Sequence, residues 1–200
     1  MEMPKNYTAV KTSGDFTPVE VGGHHLIIKQ VNETMSKTNK KMLVVLFDMA
    51  TNDKQANYMS EEFKNDIRPE KKWPHAGTQY ILVEDANGEC TKNFKSFMTS
   101  FEKSNGCSAI WGEKFIGQFK NKKIGGVFGL VENEYNGKTT MRSELRWFCD
   151  DAKADTVTAP QPKLLGNTTN NTQSAPATGS ASNINDFMPV EDAGDEIPWG

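Results

Sequence analysis

In the stretch 92–106, KNFKSFMTSFEKSNG, Phe94, Phe97, Met98 and Phe101 stand at i, i+3, i+4 and i+7. That spacing gathers four large apolar side chains on one face and predicts a helix of about three turns, ended by Asn105-Gly106, where glycine accepts a left-handed cap. Elsewhere only residues 60–66 suggest a helical turn. A fold built on this chain therefore has one principal helix, and the remaining apolar residues must be buried by sheet.

The runs on either side have strand character. Residues 24–32 (HHLIIKQVN) follow Gly22-Gly23 and are rich in β-branched side chains. Residues 41–50 (KMLVVLFDMA) are apolar on both alternating faces, as expected of a central strand covered on each side or wrapped into a barrel. Residues 78–84 give a shorter third strand. Beyond the helix, 122–131 and 138–149 flank Glu134-Tyr135-Asn136-Gly137, and Asn-Gly between two strand-like runs is a strong hairpin signal. The order is strand, strand, strand, helix, strand, strand. That is the order of an OB-fold, the five-stranded Greek-key barrel. Gly125, Gly126 and Gly129 in the fourth strand suit a barrel, where strands bend and backbones crowd. The same order also fits an α+β domain with an antiparallel sheet.

At 154 the composition changes. Residues 154–185 are rich in Thr, Asn, Ser, Ala and Pro and hold few large apolar side chains, so they read as a disordered linker, with Lys163-Leu164-Leu165 as an exception able to pack back. Residues 186–200 (DFMPVEDAGDEIPWG) carry Asp186, Glu191, Asp192, Asp195 and Glu196 with no Lys or Arg. The expected organisation is a folded domain at 1–153, a linker at 154–185 and an acidic tail at 186–200. The chain's formal charge of −3 divides into +2 on residues 1–153 and −5 beyond. Such a division is compatible with a nucleic-acid binder whose tail competes for its own groove.

Cys90, Cys107 and Cys149 are far apart, odd in number and free of C-x-x-C spacing, which points to reduced thiols in a cytoplasm. No apolar run approaches the length of a membrane span. Adjacent residues of a strand face opposite ways, so His24 and His25 cannot chelate one ion together, and His75 has no Cys nearby in sequence. Asp48, Asp53, Glu61, Glu62 and Asp66 form no D-x-D or E-x-K pattern and read as surface charge. Neither a metal site, a cofactor site nor an enzyme is expected. The sequence leaves a homo-oligomer open.

Single-strand recognition needs cations for phosphates and rings on which bases stack. Alternation along the last strand puts Met141, Leu145 and Trp147 on one side, the expected core, and Arg142, Arg146 and Phe148 on the other, the expected groove. In a second reading Arg142 and Arg146 only solvate an outer face beside Glu144. Lys71, Lys72 and Trp73 form a second candidate in the connection between strands two and three, where Trp73 either stacks on a base or plugs the barrel wall. Lys122 and Lys123, with Lys114 and Lys120, form a third around Phe115 and Phe119, two rings expected to anchor that loop in the core. In the tail, Asp192, Asp195 and Glu196 would steer towards a basic pocket that Ile197, Pro198 and Trp199 fill.

The tail resembles that of bacterial and phage single-stranded-DNA-binding proteins, which ends in an acidic run, Ile-Pro and an apolar residue. In the body, Leu46-Phe47-Asp48-Met49-Ala50, Asn57-Tyr58-Met59, Lys71-Lys72-Trp73-Pro74, the helix at 94–105, Ile110-Trp111, 122–129 and 142–147 occur in succession. This succession resembles a family of small phage and prophage proteins of Gram-positive bacteria, encoded beside replication and recombination genes. The stretch 104–111 departs from that family's proline- and aromatic-rich form. The resemblance implies a phage-type single-stranded-DNA-binding protein that coats unpaired DNA and recruits replication or recombination proteins through its tail. The alternative is an adaptor that bridges such proteins without touching DNA.

Overall fold

The computed structural model describes residues 1–5, 7–8 and 17–165. The tail residues Asp192, Asp195, Glu196, Ile197, Pro198 and Trp199 lie outside the described residues, as does most of the expected linker. The body is mostly β, a single five-stranded antiparallel sheet with few helices. Its strands are β1 (Gly22–Met35), β2 (Lys41–Met49), β3 (Thr78–Leu82), β4 (Lys123–Tyr135) and β5 (Lys138–Cys149), in the spatial order β3-β2-β1-β4-β5. Two helices accompany them, α1 (Tyr58–Asn65) and α2 (Lys92–Asn105). Among the described residues no helix is long and apolar enough to cross a membrane.

Helix α2 forms where the periodicity places it. Phe94, Phe97, Met98 and Phe101 are all buried, the Thr91 hydroxyl accepts the Phe94 N–H at 3.1 Å, and Gly106 closes the helix at φ 58°. The β4–β5 hairpin turns at Asn136 (φ 51°) and Gly137 (φ 72°), the two positive dihedrals that a tight primed turn requires.

The first strand divides its pairing. Residues 22–27 pair with β4, and residues 26–35 pair with β2 around a bulge between Ile28 and Gln30. A long strand shared this way lets the sheet curl. Phe148 of β5 consequently meets Phe47 of β2 edge-on at 5.8 Å, although β1 and β4 lie between those strands in the sheet. Phe97 of α2 packs on Phe148 at 5.1 Å, so the helix closes the core that the curl creates.

The body does not end at 153. Ala154 is buried within a 3-10 turn, Asp151–Thr156, that lies across β1. The chain then runs on to pair Lys163 in parallel with Val131, through Lys163 N–H to Leu130 O (2.9 Å) and Glu132 N–H to Lys163 O (2.8 Å). Residues 154–165, expected in the linker, thus lie against the body, with Lys163 paired to β4. Glycine makes the bed for this strap. A Cβ on Gly23 would fall 1.8 Å from Ala154 O, and one on Gly129 would fall 2.5 Å from Pro160 Cγ.

His25 latches the strap. Its Nδ1 lies 2.7 Å from Asp151 Oδ1 and its Nε2 3.2 Å from Asp155 Oδ2. Burial works to lower the imidazole pKa, but the two carboxylates prevail and raise it above 6.5. A raised folded-state pKa adds stability that is complete below the unfolded value near 6.5 and is lost as pH climbs through the folded value. The unfolding midpoint should therefore fall as pH rises above about 6.5, and His25→Gln should flatten that slope. A wild-type midpoint unchanged from neutral to mildly alkaline pH would contradict the latch.

Candidate nucleic-acid interface

Strand β5 does not present the expected groove. Val127 pairs with Trp147 and Phe128 with Leu145, which leaves Arg146 as the extra residue of a bulge. The bulge resets the alternation, so Leu145 and Phe148 are both buried although they stand three positions apart. Phe148 is a core ring and not a base platform. Met141 and Trp147, expected in the core, are exposed at 42% and 37%. Arg142 is exposed, whereas Arg146 is half-buried and its Nη1 is buried with no hydrogen-bond partner. Desolvation lowers the Arg146 pKa, against the pull of Glu144.

The connection between β2 and β3 resolves the alternatives for Trp73. Its indole N–H donates to Phe47 O (3.2 Å) and Gly77 O (3.1 Å), and its ring tilts against Phe63 at 5.7 Å, so Trp73 closes the wall. Lys71 donates to Lys64 O at 2.9 Å and sits 5.9 Å from the Phe63 ring centroid, while Lys72 is exposed. Lys122 and Lys123 are exposed at the start of β4. Phe115 and Phe119 are buried in the core, as expected of loop anchors. Of the candidates, Arg142, Lys71, Lys72, Lys122 and Lys123 remain exposed, whereas Phe148 and Trp73 are committed to the fold.

Two carboxylates read as surface charge are structural. Asp48 is fully buried, and its Oδ1 accepts the N–H groups of Met49 and Met59, both at 2.9 Å, and Ser60 (3.4 Å), which caps the start of α1. Its Oδ2 accepts the Ser60 hydroxyl and lies 3.6 Å from Lys29 Nζ. Asp53 accepts N–H groups from His25 (2.8 Å) and Gln55 (2.9 Å) and pairs with His24 Nδ1 at 3.0 Å. Although burial opposes it, these partners hold the Asp53 pKa below the usual carboxylate range. His24 faces the core against Phe128, and His25 faces the strap.

The feature that residue-type searching misses is the second face of β1, β2 and β3. Their register aligns three cross-strand rows on the side away from the core: Gln30–Leu46–Thr78, Asn32–Val44–Tyr80 and Thr34–Met42–Leu82. The β2 and β3 members are all half-buried, and none of the apolar ones belongs to the buried core or packs against it. An apolar and aromatic centre is thus flanked by amide and hydroxyl groups. Lys29 pairs with Asp48 and Lys41 with Glu84 at 3.3 Å, while Lys37 and Lys40 sit in the turn between β1 and β2. The available signal is the alternation of Met42, Val44 and Leu46, in a run expected of a strand covered on each side or wrapped into a barrel.

No protein-family model matches the chain, and no curated protein matches it at a significant level.

Proposed function

We propose that the chain is a phage-type single-stranded-DNA-binding protein on an OB-type barrel, with the open face of β1, β2 and β3 as its DNA surface. The observation that carries the reading is that half-buried face, with apolar groups of β2 and β3 at its centre beside the amides and hydroxyls of β1, and Lys37 and Lys40 in the turn at its end. Several features support the barrel. The fourth strand returns beside the first in the order β3-β2-β1-β4, the Greek-key pattern. The curl that brings Phe148 onto Phe47 suits closure, and oligonucleotides bind such barrels across strands two and three. The family resemblance of the body and the acidic Ile-Pro-Trp ending support a role in replication or recombination, with the tail recruiting partner proteins. The host-cell cytoplasm is the compartment this role implies.

Titration with fluorescent poly-dT and with duplex of equal length tests the reading. Unpaired DNA should bind more tightly, and its affinity should fall steeply as salt rises from about 50 to 200 mM. Equal affinity for the two forms, or indifference to salt, would contradict it.

One observation favours the adaptor alternative. Phe148, Trp73 and Arg146 are committed in whole or part to the fold, so fewer residues remain for nucleic acid than the sequence offered. Absence of DNA affinity in both the full chain and a chain cut after Leu165 would establish that alternative.

A further inference from the structure

We infer that Trp111 is a second base-stacking platform, set on the helix side of the body apart from the β1–β3 face. The inference rests on the nucleic-acid reading and adds Trp111 to the segment that holds Phe115 and Lys114.

Trp111 is 66% exposed, yet it is not loosely displayed. Its indole lies nearly parallel to the Phe115 ring, with 12° between planes and 5.1 Å between centroids, and Phe94 approaches it at 6.3 Å. Phe115 is itself only 8% exposed and belongs to the core. The indole therefore rests on a fixed aromatic pedestal.

The backbone that carries it is clamped. Ala109 N–H donates to Glu102 Oε1 at 2.8 Å, and Ile110 N–H donates to Gln118 Oε1 at 2.8 Å. Gln118 Nε2 returns bonds to Ile110 O (2.9 Å) and Phe115 O (2.8 Å). Immediately after Trp111, Gly112 turns the chain at φ 86°. A ring held this firmly loses little further conformational freedom when a planar ligand stacks on it.

Charge selects the ligand. Residues 92–123 hold seven lysines (92, 95, 103, 114, 120, 122 and 123) against Glu102 and Glu113, an excess of +5. Since residues 1–153 total +2, the rest of that body is −3, and its cationic excess is concentrated in the segment that carries Trp111. A flat π surface within a lysine-rich segment suits a nucleotide, whose base stacks while its phosphate meets an ammonium group. An acidic peptide would use the lysines but would gain less from a preset parallel ring.

The test is fluorescence anisotropy of dye-labelled dT oligonucleotide with full-length wild type, Trp111→Ala, Trp111→Phe and Lys114→Ala. Trp111→Ala should weaken binding by about 5- to 150-fold, the loss of one stacked base, with the salt dependence and unfolding midpoint unchanged. Trp111→Phe should recover most of the affinity. Lys114→Ala should instead flatten the salt dependence. Wild type that binds while Trp111→Ala binds equally well overturns this inference and leaves the β1–β3 reading standing. A loss that Phe does not restore, or one accompanied by a lower unfolding midpoint, overturns it in favour of a purely structural ring. Wild type with no affinity for the oligonucleotide overturns both.

Discussion

Phe148→Ala is expected to cost about 3–5 kcal/mol of folding stability, the range for removing a large aromatic ring from a packed core. For a body of this size that is a fall in unfolding midpoint on the order of 10 °C. Phe148 touches Phe47 of β2 and Phe97 of α2, and its backbone carbonyl accepts the Ser100 hydroxyl at 3.2 Å. Its removal opens a cavity where the two ends of the curled sheet and the helix meet. Had the ring stood in an exposed groove, the same substitution would change stability by less than about 0.5 kcal/mol. Thermal unfolding by circular dichroism separates these outcomes, and a near-neutral result would contradict the bulge-reset register of β5.

Val44→Glu is expected to reduce DNA affinity strongly. Val44 occupies the centre of the open face, between Asn32 on β1 and Tyr80 on β3. A carboxylate there meets the phosphate backbone with like charge and places a solvated group where bases would lie. Affinity for dT oligonucleotide should drop by about two orders of magnitude, combining charge repulsion with the loss of one stacked or apolar contact of roughly 1–3 kcal/mol. Val44→Thr, which keeps the shape and the half-exposed strand position, should retain affinity within a few-fold. If Val44→Glu binds as wild type does, the β1–β3 face is not the DNA surface.

The elements written in local chemistry were legible. Helix α2 follows from four apolar residues at helical spacing and a glycine stop, and the β4–β5 hairpin follows from Asn136-Gly137. What escaped depends on neighbours distant in the chain. No residue type announces the bulge at Arg146, yet that extra residue sends Phe148 inward and Trp147 outward. The strap at 154–165 holds few large apolar residues and read as linker. It docks because Gly23 and Gly129, far off in sequence, leave room for Ala154 and Pro160. The aromatic clusters were visible as residues but not as roles. Trp73 spends its N–H inside the wall, while Trp111 stands out on a pedestal.

Photo-crosslinking of the full chain to dT oligonucleotide carrying 4-thiothymidine, with adducts mapped by mass spectrometry, locates the bound strand. Adducts are expected on the β1–β3 face, at or beside Tyr80, with Trp111 as a second position. Adducts confined to β5 and the connection holding Lys71 and Lys72, or none at oligonucleotide concentrations that saturate binding, would contradict that surface.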